Sequence, residues 1–164
     1  MIFKIEFNIM AHIFKFSDAA TIALHTMVML AYKANELVCT HEIASSFNIS
    51  EAHLSKVLQR LSKTGWIHPV RGPKGGFKLA VGPETISLLD IYELFDGRIS
   101  VDQCLLDSYI CGGKNCILGK LLHDMNEQAK KYLEDTTLDK ICSMCEQLPS
   151  LQTSRYQNKT TSKE

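Results

Sequence analysis

The chain has 164 residues, 45% of them hydrophobic, and a formal net charge of zero. That length suits one compact domain or two small ones. No apolar run approaches the roughly 20 residues of a membrane span, and the start of the chain lacks the order of basic, apolar and small residues typical of a signal peptide. We therefore expect a cytoplasmic protein without a membrane segment, whose six cysteines are thiols or metal ligands rather than disulfides.

Helix-capping residues and apolar periodicity divide the chain into short elements. Residues suited to begin or end a helix stand at the expected boundaries, namely Ser17, Thr40, Ser50, Gly65, Ser87 and Gly97. In chain order, the predicted elements are helices over 18–34, 41–47 and 51–64, strands over 66–70 and 77–80, and helices over 88–96, 117–135 and 138–147. This order predicts a mainly α fold with a small β-hairpin wing, a winged helix-turn-helix followed by a long C-terminal helix.

Charge is distributed unevenly over these elements. Residues 41–80 carry six Lys or Arg against two acidic side chains, a net of +4, whereas residues 84–139 carry five against eleven, a net of −6. A basic segment joined to an acidic one is typical of a phosphate-binding module coupled to a separate sensing region. Solvated surface charge would give the same pattern, so the asymmetry favours nucleic acid only together with the predicted elements.

The helix over 51–64 has the pattern of a DNA-reading helix. An apolar stripe fixes its inward side, which leaves these residues for contact: Ser50, His53, Ser55, Lys56 and Arg60. A helix fits the major groove and presents its N-terminal turn to base edges and phosphates. Lys56 and Arg60 suit phosphate neutralisation, whereas His53 and Ser55 are better placed for bases.

The loop RGPKGG between the two predicted strands is a candidate wing. Arg71 and Lys74 bring positive charge, and Gly75 and Gly76 would let the backbone approach DNA closely. An arginine in a narrow minor groove would read shape as well as charge. Any amphipathic helix pair with a hairpin gives part of this pattern, but the combination with a basic surface predicts binding to double-stranded DNA.

Three cysteines, Cys104, Cys111 and Cys116, follow the hairpin with C-x6-C-x4-C spacing in a loop over about residues 102–116. Thiolates select iron–sulfur clusters, zinc or Cu(I), but three of them leave a four-coordinate site incomplete. The paired C-x2-C knuckles of structural zinc do not occur in this loop. The spacing therefore leaves open a cluster or metal with a fourth ligand, redox-active thiols, or incidental cysteines.

The other cysteines carry weaker patterns. Cys39 stands alone, and we expect it to be a small buried residue. Cys142 and Cys145 form a C-x2-C pair without a second knuckle or a thioredoxin-like context. The chain also has no phosphate loop and no Ser/His/Asp set that would indicate catalysis. We expect a protein that is not an enzyme.

Residues 14–31, residues 42–80 and the cysteine triad together resemble one family. They are similar to the bacterial iron–sulfur cluster regulators and nitric-oxide-sensing repressors of the IscR and NsrR type, over about residues 12–145. The resemblance implies a homodimeric winged-helix transcription regulator with a pseudo-palindromic DNA operator, and a dimer contact through the helix over 117–135. It implies that Arg71 enters the minor groove. It places these residues at the major-groove positions: Ser50, Ala52, His53, Ser55 and Lys56.

The resemblance further implies an iron–sulfur cluster, 2Fe–2S or 4Fe–4S, on the cysteine triad. One branch of the family takes its fourth ligand from a histidine three residues after the last cysteine, where this chain has Gly119. The nitric-oxide-sensing branch uses an aspartate near the start of the first helix, donated by the other subunit, and Asp18 falls at that place. Asp18 also suits the dipole at a helix N-terminus, and His123 is the second candidate ligand.

Four segments are then predicted: residues 1–14 as an extension or part of a dimer contact, 15–82 as the winged helix-turn-helix, 83–148 as cysteine loop and dimerisation helices, and 149–164 as a disordered polar tail. The predicted function is a DNA-binding transcription regulator controlled by the cluster, which would sense redox state, nitric oxide or iron–sulfur supply. The alternative is a clusterless winged-helix regulator that responds to thiol oxidation or to a protein partner.

Overall fold

The computed structural model of the chain describes residues 16–33, 36–72, 74–100, 118 and 120–146. The predictions for residues 1–14 and 149–164, for Cys104, Cys111 and Cys116, for Gly119 and for the side chain of Cys145 lie outside the described residues.

The described residues form six α-helices and one hairpin, which confirms the predicted mainly α fold with a β wing. The elements in chain order are α1 Asp18–Tyr32, α2 Thr40–Phe47, α3 Glu51–Lys63, β1 Ile67–Val70, β2 Gly76–Leu79, α4 Leu88–Asp96, α5 Leu121–Asp135 and α6 Leu138–Glu146. No helix in the described part of the chain has the length and apolarity needed to span a bilayer.

The helix ends follow the local chemistry of the sequence. Ser17 Oγ accepts the Ala20 N–H at 3.1 Å at the start of α1. Ser87 and Asp90 form a capping box at the start of α4, in which each side chain accepts a backbone N–H of the other. Such caps satisfy donors that the first turn leaves unpaired and stabilise a helix by about 0.5–2 kcal/mol. The boundaries of the elements are therefore fixed locally.

The core forms where α1 meets α3, α4 and α6. Met27 and Leu30 of α1 are fully buried and share one cluster with Leu58 of α3, Ile91 of α4 and Leu138 of α6. The backbones also join, because Leu88 N–H bonds Thr136 O at 2.8 Å and Leu138 N–H bonds Ile86 O at 3.1 Å. These two bonds hold the start of α4 to the start of α6, and the shared cluster packs both helices against α1 and α3 in one core.

The structure corrects the prediction for Cys39, which is exposed rather than buried. Its Sγ accepts the Glu42 N–H at 3.4 Å, so Cys39, not Thr40, is the N-cap of α2. The neighbouring Val38 is completely buried and bridges to β2. Successive residues of an extended segment point to opposite sides, and Cys39 therefore faces solvent.

The wing is a two-stranded antiparallel hairpin whose register pairs Ile67 with Leu79 and Val70 with Gly76. A third segment joins its edge, because Val38 and Phe77 exchange N–H···O bonds of 3.0 and 2.9 Å. A Cβ on Gly76 would stand 2.5 Å from the carbonyl oxygen of Val38. Glycine at this position is therefore required by packing inside the protein.

Candidate functional site

α3 presents a polar face because four apolar side chains turn its other face into the core: Leu54, Val57, Leu58 and Leu61. Of the predicted contact residues, Ser50, Ala52, Lys56 and Arg60 are exposed, and His53 and Ser55 are half-buried. Ser50 Oγ accepts the His53 N–H at 3.2 Å, which leaves its own hydroxyl proton available to donate. The first two turns of α3 therefore offer hydroxyl, imidazole and ammonium groups on one surface.

α2 holds the start of α3 through polar contacts. His41 Nδ1 lies 2.9 Å from Glu51 Oε1, and Ser45 Oγ lies 3.5 Å from His41 Nε2. Between the helices, Asn48 adopts a left-handed backbone with φ 53°. The Ile49 N–H then reaches back to Ala44 O at 3.0 Å, which closes the turn. This tight turn gives the helix-turn-helix its fixed geometry.

The wing loop carries the other predicted DNA contacts. Arg71 and Lys74 are exposed, and no acidic side chain within the described ranges pairs with either of them or with Lys56. Gly75 N–H bonds Gly72 O at 2.9 Å, and a Cβ on Gly75 would collide with the Val70 carbonyl. Packing inside the protein therefore explains why glycine stands at both positions, Gly75 and the buried Gly76. A role of either glycine in approaching DNA stays a prediction.

Asp18 lies in the first turn of α1 with an exposed side chain. The capping bond at this end is supplied by Ser17, and no cation in the described part of the chain pairs with Asp18. Its carboxylate oxygens are therefore available to a ligand. Thiolates select iron–sulfur clusters, and a carboxylate with free oxygens can serve as a further anionic ligand, so the exposed Asp18 side chain is compatible with the predicted cluster.

A groove of about 390 Å³ joins Asp18 to the start of α3. Its wall on the α1 side also carries Thr21 and His25, and the opposite wall carries Phe47, Ile49 and His53. His25 is fixed in place, because its Nδ1 lies 2.7 Å from Thr21 O and its ring packs edge-on to Phe47 at 5.8 Å. The candidate cluster ligand and a candidate DNA contact therefore line the same groove.

The C-terminal end of α4 contacts both α1 and α3. Asp96 Oδ2 accepts the Ser17 N–H at 2.9 Å, and Tyr92 meets Phe16 edge-on at 5.1 Å. Arg60 lies with its Cζ 4.9 Å from the centre of the Phe95 ring. Sequence reasoning missed these α4 residues. One clue was Asp96 itself, because an acidic residue in the last turn of a helix opposes the dipole and needs another reason to be there.

Burial raises the pKa of Tyr92, and the negative charges of Asp96 and Glu93 act in the same direction. The Tyr92 phenol therefore keeps its proton at neutral pH. An uncharged ring is compatible with its packing on Phe16.

Elsewhere, ligand atoms of His123, Asp124 and Glu127 lie within 4.8 Å of one another on α5. All three are exposed, and His123 Nε2 lies 3.7 Å from Glu127 Oε2. Such groupings on a helix surface are common without an ion, so this one does not favour His123 over Asp18 as a cluster ligand. Cys142 is half-buried with Sγ 4.0 Å from Val28 O and packs against the core.

Comparisons with known proteins agree with this fold. A family described as "Rrf2: Iron-dependent Transcriptional regulator" matches residues 16–144. A putative HTH-type transcriptional regulator of Aquifex aeolicus is 35% identical over 75% of this chain and 88% of its own length. The regulator NsrR of Bacillus licheniformis is 33% identical over 73% and 84%.

Among solved structures, CymR, the global cysteine regulator of B. subtilis, superposes with a TM-score of 0.67 at 27% identity, over 80% of this chain and 98% of that one. Helix order, wing and sequence therefore lead to the same conclusion. The chain belongs to the Rrf2 family of winged-helix transcriptional regulators, whose members are DNA-binding proteins and not enzymes.

Proposed function

We propose that the protein is a homodimeric repressor or activator whose affinity for operator DNA depends on an iron–sulfur cluster. Its ligands would be Cys104, Cys111 and Cys116 of one subunit and Asp18 of the other. The observation that carries the proposal is the place of Asp18: exposed, not used as a cap, and on the groove that leads to His53. A bound cluster would supply a redox-active iron centre.

The DNA contacts would come from α3 and the wing. Lys56, Arg71 and Lys74 are exposed cations without an acidic partner among the described residues, and they would neutralise phosphates. Ser50 and His53 would meet the major groove through the N-terminal turn of α3. The protein would act in the cytoplasm, where its thiols stay reduced.

Coupling would follow from symmetry. A dimer binds two half-sites at a fixed spacing, so a small shift of one α3 relative to the other lowers affinity. Because Asp18 and His53 line one groove, a change in what Asp18 binds would act close to α3. In this mechanism, Asp18 holds the ligand and α1 transmits its position.

Anaerobic purification tests the cluster directly. The protein should be coloured, with visible absorption and with iron and sulfide in equal amounts per subunit. Asp18→Ala should retain much less iron at equal helicity, whereas Glu84→Ala, which removes another exposed carboxylate, should retain the wild-type amount. Colourless wild-type protein without iron after reconstitution would contradict the proposal.

A clusterless thiol sensor is the second candidate, and the likeness to the oxidized form of Staphylococcus aureus CymR supports it. Here Cys104, Cys111 and Cys116 would react with an oxidant and no iron would be needed. The two candidates differ in one measurement. Iron-free protein whose DNA affinity changes on treatment with peroxide, and is restored by a thiol reductant, would favour this candidate over the cluster.

A further inference from the structure

We infer that Arg60 is a positioning residue that acts through Phe95, and that the C-terminal half of α4 is a junction between the start of α1 and the DNA-reading helix α3. The junction consists of Tyr92, Phe95 and Asp96. This inference rests on the proposed function, because it assigns the route by which cluster state would reach α3. It also changes the part given to Arg60, which the sequence pattern assigns to phosphate.

The contact on the recognition side is a cation over an aromatic face. The Arg60 guanidinium carbon stands 4.9 Å from the Phe95 ring centre, within the range in which the ring quadrupole attracts a cation. Phe95 itself packs against the core. Arg60 lies in the last turn of α3, away from the N-terminal turn that carries Ser50 and His53. Its charge is therefore directed at α4 while the first turns of α3 remain free for DNA.

The contacts on the other side hold the residues that precede Asp18. Asp96 accepts the backbone N–H of Ser17 at 2.9 Å, across 79 positions of sequence. Tyr92, one turn earlier in α4, packs edge-on against Phe16. Ser17 is the N-cap of α1. The end of α4 thus fixes the backbone from which Asp18 projects.

The position of α4 in the chain connects these contacts to the segment that carries the cysteines. α4 ends at Asp96 with Gly97 as its C-cap, and the chain continues toward Cys104. A displacement of this helix end would alter the contact with Ser17 and the contact with Arg60 together. The contact with Phe95 can bias DNA binding only to the extent that one cluster state makes it and the other does not.

Phe95→Leu tests the junction in the full-length protein. The probe is a duplex selected by cluster-loaded wild-type protein from a random-sequence pool. We expect the ratio of DNA affinities between loaded and iron-stripped protein to fall by about two- to fivefold, the worth of one exposed cation–π contact. Phe95→Tyr keeps an aromatic face and should restore the ratio, and equal thermal midpoints would exclude a folding defect.

Salt dependence separates positioning from phosphate contact. Loss of one phosphate contact lowers the slope of log affinity against log salt by about one. Lys56→Gln should show this reduction in the stripped protein as well, whereas Arg60→Gln should keep the wild-type slope and lose the loaded-to-stripped ratio. A reduced slope for Arg60→Gln, with an unchanged ratio for Phe95→Leu, would overturn the inference. Equal affinity of loaded and stripped wild-type protein would instead overturn the proposed function and the coupling with it.

Discussion

α3 and α5 are amphipathic helices of similar length, 13 and 15 residues, but they bury their apolar faces to very different degrees. α3 buries a stripe of four apolar side chains against the rest of the same chain. In α5, only Leu133 is buried, and Leu121 and Tyr132 are 57% and 58% exposed. An apolar stripe at helical spacing predicts that a face will be covered. It does not say whether the cover comes from the same chain, and the described residues leave much of the apolar face of α5 open.

The largest expected loss of stability comes from truncating one side chain of the apolar stripe of α3. Leu58 is 1% exposed, so Leu58→Ala would leave a cavity and lower the free energy of unfolding by about 2–5 kcal/mol. Urea denaturation measures this change. The exposed neighbour Gln59, replaced by Ala, should change it by less than about 0.5 kcal/mol. Equal losses for the two variants would mean that the stripe does not anchor α3.

A substitution in the wing should cause a smaller loss of stability. Gly76→Ala would place a Cβ 2.5 Å from the Val38 carbonyl oxygen, and backbone atoms there can yield only by opening the bridge between Val38 and Phe77. We expect a destabilisation of about 1–3 kcal/mol, as for other overpacked sites. Amide exchange at Phe77, whose N–H bonds Val38 O, should accelerate in the variant. Wild-type exchange at Phe77 would show that the wing tolerates the added methyl group.

The N-cap of α3 should contribute less to stability than the close packing at Gly76. Ser50→Ala removes the acceptor of the His53 N–H and should cost about 1 kcal/mol of stability. Ser55→Ala, inside the same helix, removes no cap and should be neutral or slightly stabilising because alanine favours helix. Chemical denaturation of both variants provides the comparison. If both lost the same stability, the N-terminal hydroxyl would have no special part in starting α3.

The sequence predicted these local features well because each depends on residues a few positions apart. Ser17, Ser50 and Ser87 cap their helices as expected, and Gly65 and Gly97 end theirs with positive φ angles of 79° and 85°. The side of α3 that faces the core also follows from the apolar period. Cys39 is the exception. Cysteine is a residue type that is usually buried, but the extended backbone after Val38 turns Cys39 outward.

Contacts between distant residues could not be read from the sequence. The bond from Ser17 to Asp96 and the Arg60–Phe95 contact join elements whose packing no local pattern encodes. The groove that brings Asp18 near His53 likewise depends on how α1 crosses the turn before α3. The family resemblance nominated Asp18, and a positive charge on the outer face of α3 nominated Arg60. Only the fold indicates what each of them faces.

The smallest effect on the stability of a single chain, and the most informative one for the comparison, should come from α5. Leu121 is exposed, so Leu121→Glu should change the unfolding free energy of the isolated chain by less than about 0.5 kcal/mol. If this face is covered by a second copy, the buried charge would nevertheless break the dimer, and light scattering should give half the wild-type mass. Leu121→Met keeps an apolar side chain of similar volume and should keep the wild-type mass.

Because one α3 reaches one half-site, the monomeric variant should also lose affinity for a two-half-site duplex more than for a single half-site. A variant of unchanged mass would mean that the open face of α5 is not the dimer contact, and the exposed stripe would then distinguish α5 from α3 without explaining how two recognition helices are brought together.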